Sequence, residues 1–341
     1  MKIVIAPDSY KGCLTAAEAA AIMASALREH HPGWDIVELP LADGGEGTVD
    51  AVLSSLGGRL LQAEVSDPLG RRVTASYGLC GDLAVVEVAE ACGLKYLAPS
   101  ERNPLIATTR GVGELLLAAR SQGASRFLIG LGGTATCDGG VGMMSVAGLR
   151  EALAGCSLEL LCDVDNPFVG PRGAARVFAP QKGASPADVE ILEGRMEVLA
   201  QAMLAETGTD VSDMPGAGAA GGLGGAFLAY FNAARVSGID RILDLAGFET
   251  IVEGAGLVIT GEGKSDMQTL SGKVPFGVLR RAYNVPVILI SGRIEDVDAL
   301  QEAGFSKIVE VSPRSLSLEK ATTRPVAEAN LRRAVAEAVC G

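Results

Sequence analysis

Short apolar runs that stop in glycines and small polar residues recur along the chain. Residues 3–6 (IVIA) precede Asp8-Ser9-Tyr10-Lys11-Gly12, residues 127–131 precede a segment from Gly132 to Gly140, and residues 257–260 precede Gly261-Glu262-Gly263-Lys264-Ser265-Asp266. Runs without polar alternation predict parallel strands covered on both faces. Thr15-x-x-Glu18 is a capping box that opens an alanine-rich helix to about residue 29. Residues 60–65, 72–79 and 83–89, joined by turns such as Asp67-Pro68-Leu69-Gly70, predict an antiparallel meander. Helices are expected at 113–121, 186–207 and 226–233. From 245 onward, strands at 257–260, 286–290 and 307–311 alternate with helices at 275–283, 295–303 and 319–339, the pattern of a doubly wound α/β sheet.

The expected fold class is therefore α/β, with two discontinuous domains. A Rossmann-like parallel-sheet domain would use 1–41, 100–150 and 246–341, uniting strands 3–6 and 127–131 with the C-terminal strands. A smaller mixed α/β domain would use 42–99 and 151–245.

Charge narrows the partners. The 341 residues carry a formal net charge of -12 with no Lys/Arg-rich run, which argues against nucleic acid and anionic membranes. No apolar run reaches spanning length, and MKIVIAPDS is too short a core for a signal peptide, so a soluble, cytoplasmic protein is expected. The seven cysteines (13, 80, 92, 137, 156, 162, 340) are scattered without a C-x-x-C pair, which suggests neither disulfides nor zinc. The two histidines, His30 and His31, sit together at a helix end. Acid–base work then falls to Asp, Glu and Lys.

The polar loops after strands supply the candidates, because open α/β sheets bind ligands at the carboxyl ends of their strands. Asp8, Lys11 and Asp266 are the catalytic candidates; Ser9, Asp43, Glu46, Lys182 and Lys273 are the substrate-binding ones. Gly132, Gly133, Thr134, Asp138, Gly139, Gly218, Gly221 and Gly222 are placed on nucleotide phosphates, since glycine lets backbone N–H groups reach an anion. Magnesium is given to Glu262 and Asp266, with Asp163 and Asp165, at i and i+2, as second choice. Glu262, Asp266, Asp138 and Asp8 are expected to converge with Lys11, Lys264 and Lys273 on one crevice. Each loop also admits an ordinary reading as a tight turn, a helix start or a surface ion pair. Two motifs fail: Gly263-Lys264-Ser265 lacks the first Walker A glycine, its place being taken by Val258, and Gly130-x-Gly132-x-x-Ala135 has no acid-ended strand about 20 residues on. NAD binding is only a minor alternative.

Taken in order, IAPDSYKG, LADGGEGT, GGTATCDGG, CDVDNP, PQKGAS, PGAGAAGG, TGEG-x-x-D-x-Q and SGKVP make the chain similar to the glycerate kinase family of bacterial type, over nearly its whole length. The resemblance implies ATP-dependent phosphorylation of D-glycerate, 2-phosphoglycerate being favoured, with magnesium, on a discontinuous two-domain fold. Small molecules would be the partners, and self-association stays open. The stretch between Gly142 and Cys162 is shorter than in the family, and Lys264 and Met267 stand where arginine and a small polar residue are common. The competing class is a nucleotide-binding sensor that uses the same crevice without turnover.

Overall fold

In the computed structural model, residues 1–339 are described; Cys340, one of the scattered cysteines, lies outside them. The strands in chain order are β1 (Lys2–Ile5), β2 (Asp35–Glu38), β3 (Arg59–Ser66), β4 (Arg72–Cys80), β5 (Leu83–Glu87), β6 (Arg126–Gly130), β7 (Ser157–Leu161), β8 (Ala234–Val236), β9 (Leu257–Thr260), β10 (Lys264–Ser265), β11 (Val287–Ser291), β12 (Arg293–Ile294) and β13 (Lys307–Glu310). They fall into two compact units, one made of Met1–Asp43, Asp50–Leu56 and the chain from Ile239 onward, the other of Gly44–Val49 and Gly57–Gly238.

The first unit is a five-stranded sheet in the order β13-β11-β9-β1-β2, parallel throughout. Its central strands are apolar and buried on both faces, as such sheets require. The helix Ala16–His30 begins where the sequence predicts: Thr15 Oγ1 accepts from Glu18 N at 3.2 Å, and Glu18 Oε2 accepts from Thr15 N at 2.9 Å. It packs against the C-terminal helix Arg324–Val339, and together they bury Met23, Leu27, Leu331 and Val335 against Ile5 and Ile290. Each such side chain contributes about 1.5–3 kcal/mol by leaving water. The expected helix 319–339 is two pieces, Leu318–Ala321 and Arg324–Val339. Pro325 explains the break: it has no N–H to continue a helix but is harmless in a first turn.

The second unit is a six-stranded mixed sheet, β3-β4-β5-β6-β7-β8, antiparallel through the predicted meander β3 to β5 and parallel from β5 to β8. Here the expected domain division needs correction. β6 pairs with β5 (Val85↔Leu128) and β7 (Leu128↔Glu159), so 100–150 belongs to the mixed unit, which is the larger of the two. An apolar run states that it is buried but not beside which strand, and β5, buried at every position, offers β6 an equally good edge. The long helix Pro186–Thr207 starts at a Ser185/Asp188 capping box. Among the described residues, no helix is long and apolar enough to cross a membrane.

Candidate functional site

In the first unit, β2 lies on one side of β1 and β9 on the other, so strand order reverses between β1 and β9. Such a reversal leaves a crevice beyond the carboxyl ends of the two strands. A cavity of about 570 Å³ occupies this end of the sheet. Asp8, Ser9 and Lys11 enter it from the loop after β1, Glu262 and Lys264 from the loop after β9, and Lys273 from the start of the helix Val274–Arg281.

Asp8 is 4% exposed, and its Oδ1 accepts from Ser9 N at 2.6 Å. Burial pushes its carboxyl up to about 7, with the charges of Asp43 and Glu262 adding to the rise and Lys11 and the Ser9 N–H opposing it. Glu262, 5% exposed, sits in a nest of hydroxyls. Its Oε1 accepts from Thr269 Oγ1 at 2.6 Å and Ser265 Oγ at 3.1 Å, Ser265 Oγ lies 2.8 Å from Ser291 Oγ, and Lys273 Nζ is 3.5 Å from Oε2. Burial raises this carboxyl as well, the hydroxyls and Lys273 pulling back. Tyr10 locks the loop in place by donating to Ile290 O at 2.5 Å. A Cβ on Gly261 would stand 1.7 Å from that same carbonyl, so only glycine lets the two loops meet.

Lys11 is exposed at the cavity's edge. Lys264 is shared between Asp266 (3.3 Å) and Glu295 (2.9 Å), and Asp266 Oδ1 also accepts from Gln268 N at 2.9 Å. Burial works against ionised Asp266, but Gln268, Lys264 and Lys273 outweigh it and hold its carboxyl below the usual range.

The remaining sequence candidates belong to the second unit. Lys182 is 3% exposed, and its Nζ donates to Thr134 Oγ1 (3.0 Å) and Thr136 O (2.7 Å); burial lowers its pKa. It therefore clamps the loop after β6. Asp138 is engaged within the second unit: its Oδ2 accepts from Thr109 N, Thr109 Oγ1 and Gly142 N, and its Oδ1 from Gly140 N, all at 2.8–3.1 Å. Four donors tie it to the starts of two helices. Gly221 and Gly222 serve close packing, since a Cβ would fall 2.0 Å from Thr136 O and 2.2 Å from Met196 Cε; Gly139 and Gly218 are similarly hemmed in. Gly132 and Gly133 alone of this group are exposed. Glu46 is exposed. Asp163 and Asp165 lie past the end of β7, where Asp163 accepts from Gly238 N at 3.1 Å and Asp165 pairs with Arg172 at 2.6 Å.

Sequence reasoning passed over Tyr10, Thr269 and Ser291, because their roles appear only once β9 and β11 are neighbours. It also missed the cavity's apolar wall of Val311, Leu318, Ala321, Ala327 and Leu331. Among the described residues, no three His, Cys, Asp or Glu side chains are grouped to hold a metal.

A sequence model described as the glycerate kinase family matches residues 3–151 and 144–340. A glycerate kinase of Bacillus subtilis is 43% identical, covering 94% of this chain and 93% of its own, and a glycerate 2-kinase of Escherichia coli is 40% identical over the same shares. The crystal structure of a Salmonella typhimurium LT2 protein assigned as glycerate kinase 2 superposes with a TM-score of 0.87 at 40% identity, covering 100% of this chain and 97% of that one. The chain belongs to the glycerate kinase family.

Proposed function

We propose that the chain transfers the γ-phosphoryl group of ATP to the 2-hydroxyl of D-glycerate, giving 2-phosphoglycerate, in the cavity of the first unit. The observation that carries this reading is Asp8: a buried carboxyl near neutral pKa, at the reversal point of the sheet, with Lys11 and Lys273 lining the same cavity. Phosphoryl transfer asks a protein mainly for positioning and charge stabilisation. Asp8 orients the glycerate hydroxyl and accepts its proton as the oxygen bonds to phosphorus and the ADP oxygen departs. Lys11 and Lys273 meet phosphate and carboxylate oxygens. Tyr10 and the hydroxyl nest hold Asp8 and Glu262 still.

The donor set also suits magnesium. The ion usually takes one or two carboxylates and leaves its other positions to phosphates and water, so no three-acid cage is needed. Asp43 and Glu262, both of whose charges press on Asp8, are the carboxylates that would hold it, Asp266 being bound to Lys264 and Gln268. When bound, magnesium supplies neutralising charge to the phosphate oxygens. The six described cysteines are free thiols, in accord with a cytoplasmic protein.

The test is ADP release measured with Mg-ATP and D-glycerate, with enolase added to consume 2-phosphoglycerate. Glycerate-dependent ADP with enolase turnover is expected. ADP release without enolase turnover would move the phosphoryl group to the 3-hydroxyl, and nucleotide binding without glycerate-dependent ADP would make the chain a binding module.

A further inference from the structure

The cavity of the first unit has two chemically different ends. One, beyond β1 and β9, holds Asp8, Glu262, Lys11 and Lys273. The other, beyond β13 and beneath the last two helices, is walled by Val311, Leu318, Ala321, Ala327 and Leu331. D-glycerate is a small, fully polar anion, and nothing on it could use an apolar wall. Burying water against such a wall gains nothing, whereas burying a flat heteroaromatic ring gains about 25 cal/mol per Å² of apolar area. The volume, about 570 Å³, is in the range of a pocket for a drug-sized ligand. A ligand with a flat apolar head and a polyanionic tail matches both ends at once.

We propose that the apolar end is the nucleobase subsite of the kinase, which places the nucleotide on the first unit with its phosphates running toward Lys11 and Lys273. This rests on the reading of the chain as an ATP-dependent kinase. It assigns the nucleobase to the first unit; in the second, Asp138 and most of the candidate glycines are already committed to packing. Most polar side chains at the apolar end are engaged within the protein, the Ser312 hydroxyl beside Val311 excepted. Arg293 donates to Glu310 Oε1, Ser312 O and Leu316 O at 2.8–3.2 Å, and Thr322 Oγ1 donates to Leu318 O at 2.9 Å. The base is thus held mainly by packing, with the Ser312 hydroxyl as a single polar side chain left for its edge, and apolar packing discriminates weakly between rings of similar size.

Cys13, half-buried in the cavity lining, is a built-in reporter, with half-buried Cys80 and Cys156 of the other unit as controls. Maleimide labelling followed by peptide mass spectrometry on the full chain should show adenosine, which has no phosphate, slowing modification at Cys13 several-fold and leaving the controls unchanged. Ala321→Phe, which fills the apolar end, should raise the KM for ATP at least tenfold with the KM for D-glycerate within about twofold. GTP should be used with a KM within about tenfold of that for ATP. Adenosine without effect on Cys13, a KM change confined to glycerate, or a preference for ATP above about a thousandfold would each overturn the subsite. If Ala321→Phe fails to fold, the labelling of the parent decides. Protection by adenosine in a protein that releases no glycerate-dependent ADP would keep the subsite and remove the kinase reading.

Discussion

Asp8 and Asp138 both follow a buried strand, in glycine-rich segments that look alike in the sequence. Asp138 also lines a cavity, but it is saturated by donors from Thr109, Gly140 and Gly142, and the glycines around it are closed in by neighbouring side chains and backbone. Asp8 borders a cavity, takes a hydrogen bond from Ser9, and lies in the field of Asp43 and Glu262. A buried acid whose lone pairs are filled is a structural joint. One whose lone pairs face a cavity carries strain in its ionisation, which a substrate proton or a cation can relieve.

Exchanging each acid for its amide sharpens the contrast most. Asp8→Asn should lower kcat by about 10²- to 10⁴-fold, the usual worth of a positioned base. In the parent, kcat/KM should rise with pH through about 7 as Asp8 loses its proton, and that limb should vanish in the variant. Stability moves the other way. A carboxyl raised on folding loses stability as pH increases from its unfolded value to about 7, so the melting temperature of Asp8→Asn relative to the parent should rise between about pH 4 and about pH 7 and level off above it.

Gly221→Ala comes next, at about 3 kcal/mol or more of stability in denaturant melts, since its Cβ would meet Thr136 O at 2.0 Å at a φ of 69°. Retention of parental stability would mean that the loop is not packed as described. Lys11→Met should cost roughly a hundredfold in kcat/KM with the fold intact, as for a lost electrostatic donor; near-parental kinetics would assign Lys11 to the surface. Asp138→Asn should lower stability by about 1–3 kcal/mol, because its amide nitrogen faces N–H donors, while the protein still folded retains parental kcat. A kcat loss like that of Asp8→Asn would erase the distinction between the two acids. The smallest effect belongs to Gly12→Ala, about 1 kcal/mol: its φ is 84°, but open space surrounds it.

What the sequence made legible was local. The capping boxes at Thr15 and Ser185, the meander, and the loops carrying Asp8 and Glu262 follow from neighbours a few residues apart. Strand partnership was not legible: β6 reads equally well in either sheet, and its assignment to the wrong one carried 100–150 with it. Lys182 illustrates the same limit at a single side chain. A lysine in a polar loop reads as a phosphate ligand, yet its Nζ is enclosed by the Thr134 hydroxyl and the Thr136 carbonyl, 46–48 residues away in sequence. The apolar wall gave no signal, because Leu331 and Ala327 look like any inward face of a helix.

The pairing of β1 with β9 also sets an order of events during synthesis. Ile5 finds its neighbour at Ile259, so at roughly 5–20 residues per second the first strand to leave the ribosome waits about 10–50 s for the strand that completes its site. The second unit, drawn mainly from the continuous stretch 57–238, meets its partners sooner. Nascent chains halted once β8 has left the ribosome and β9 has not should therefore protect the six-stranded sheet from protease while β1 is still cut. The acid at the centre of the proposed chemistry would be the first part of the site to be made and among the last to be housed.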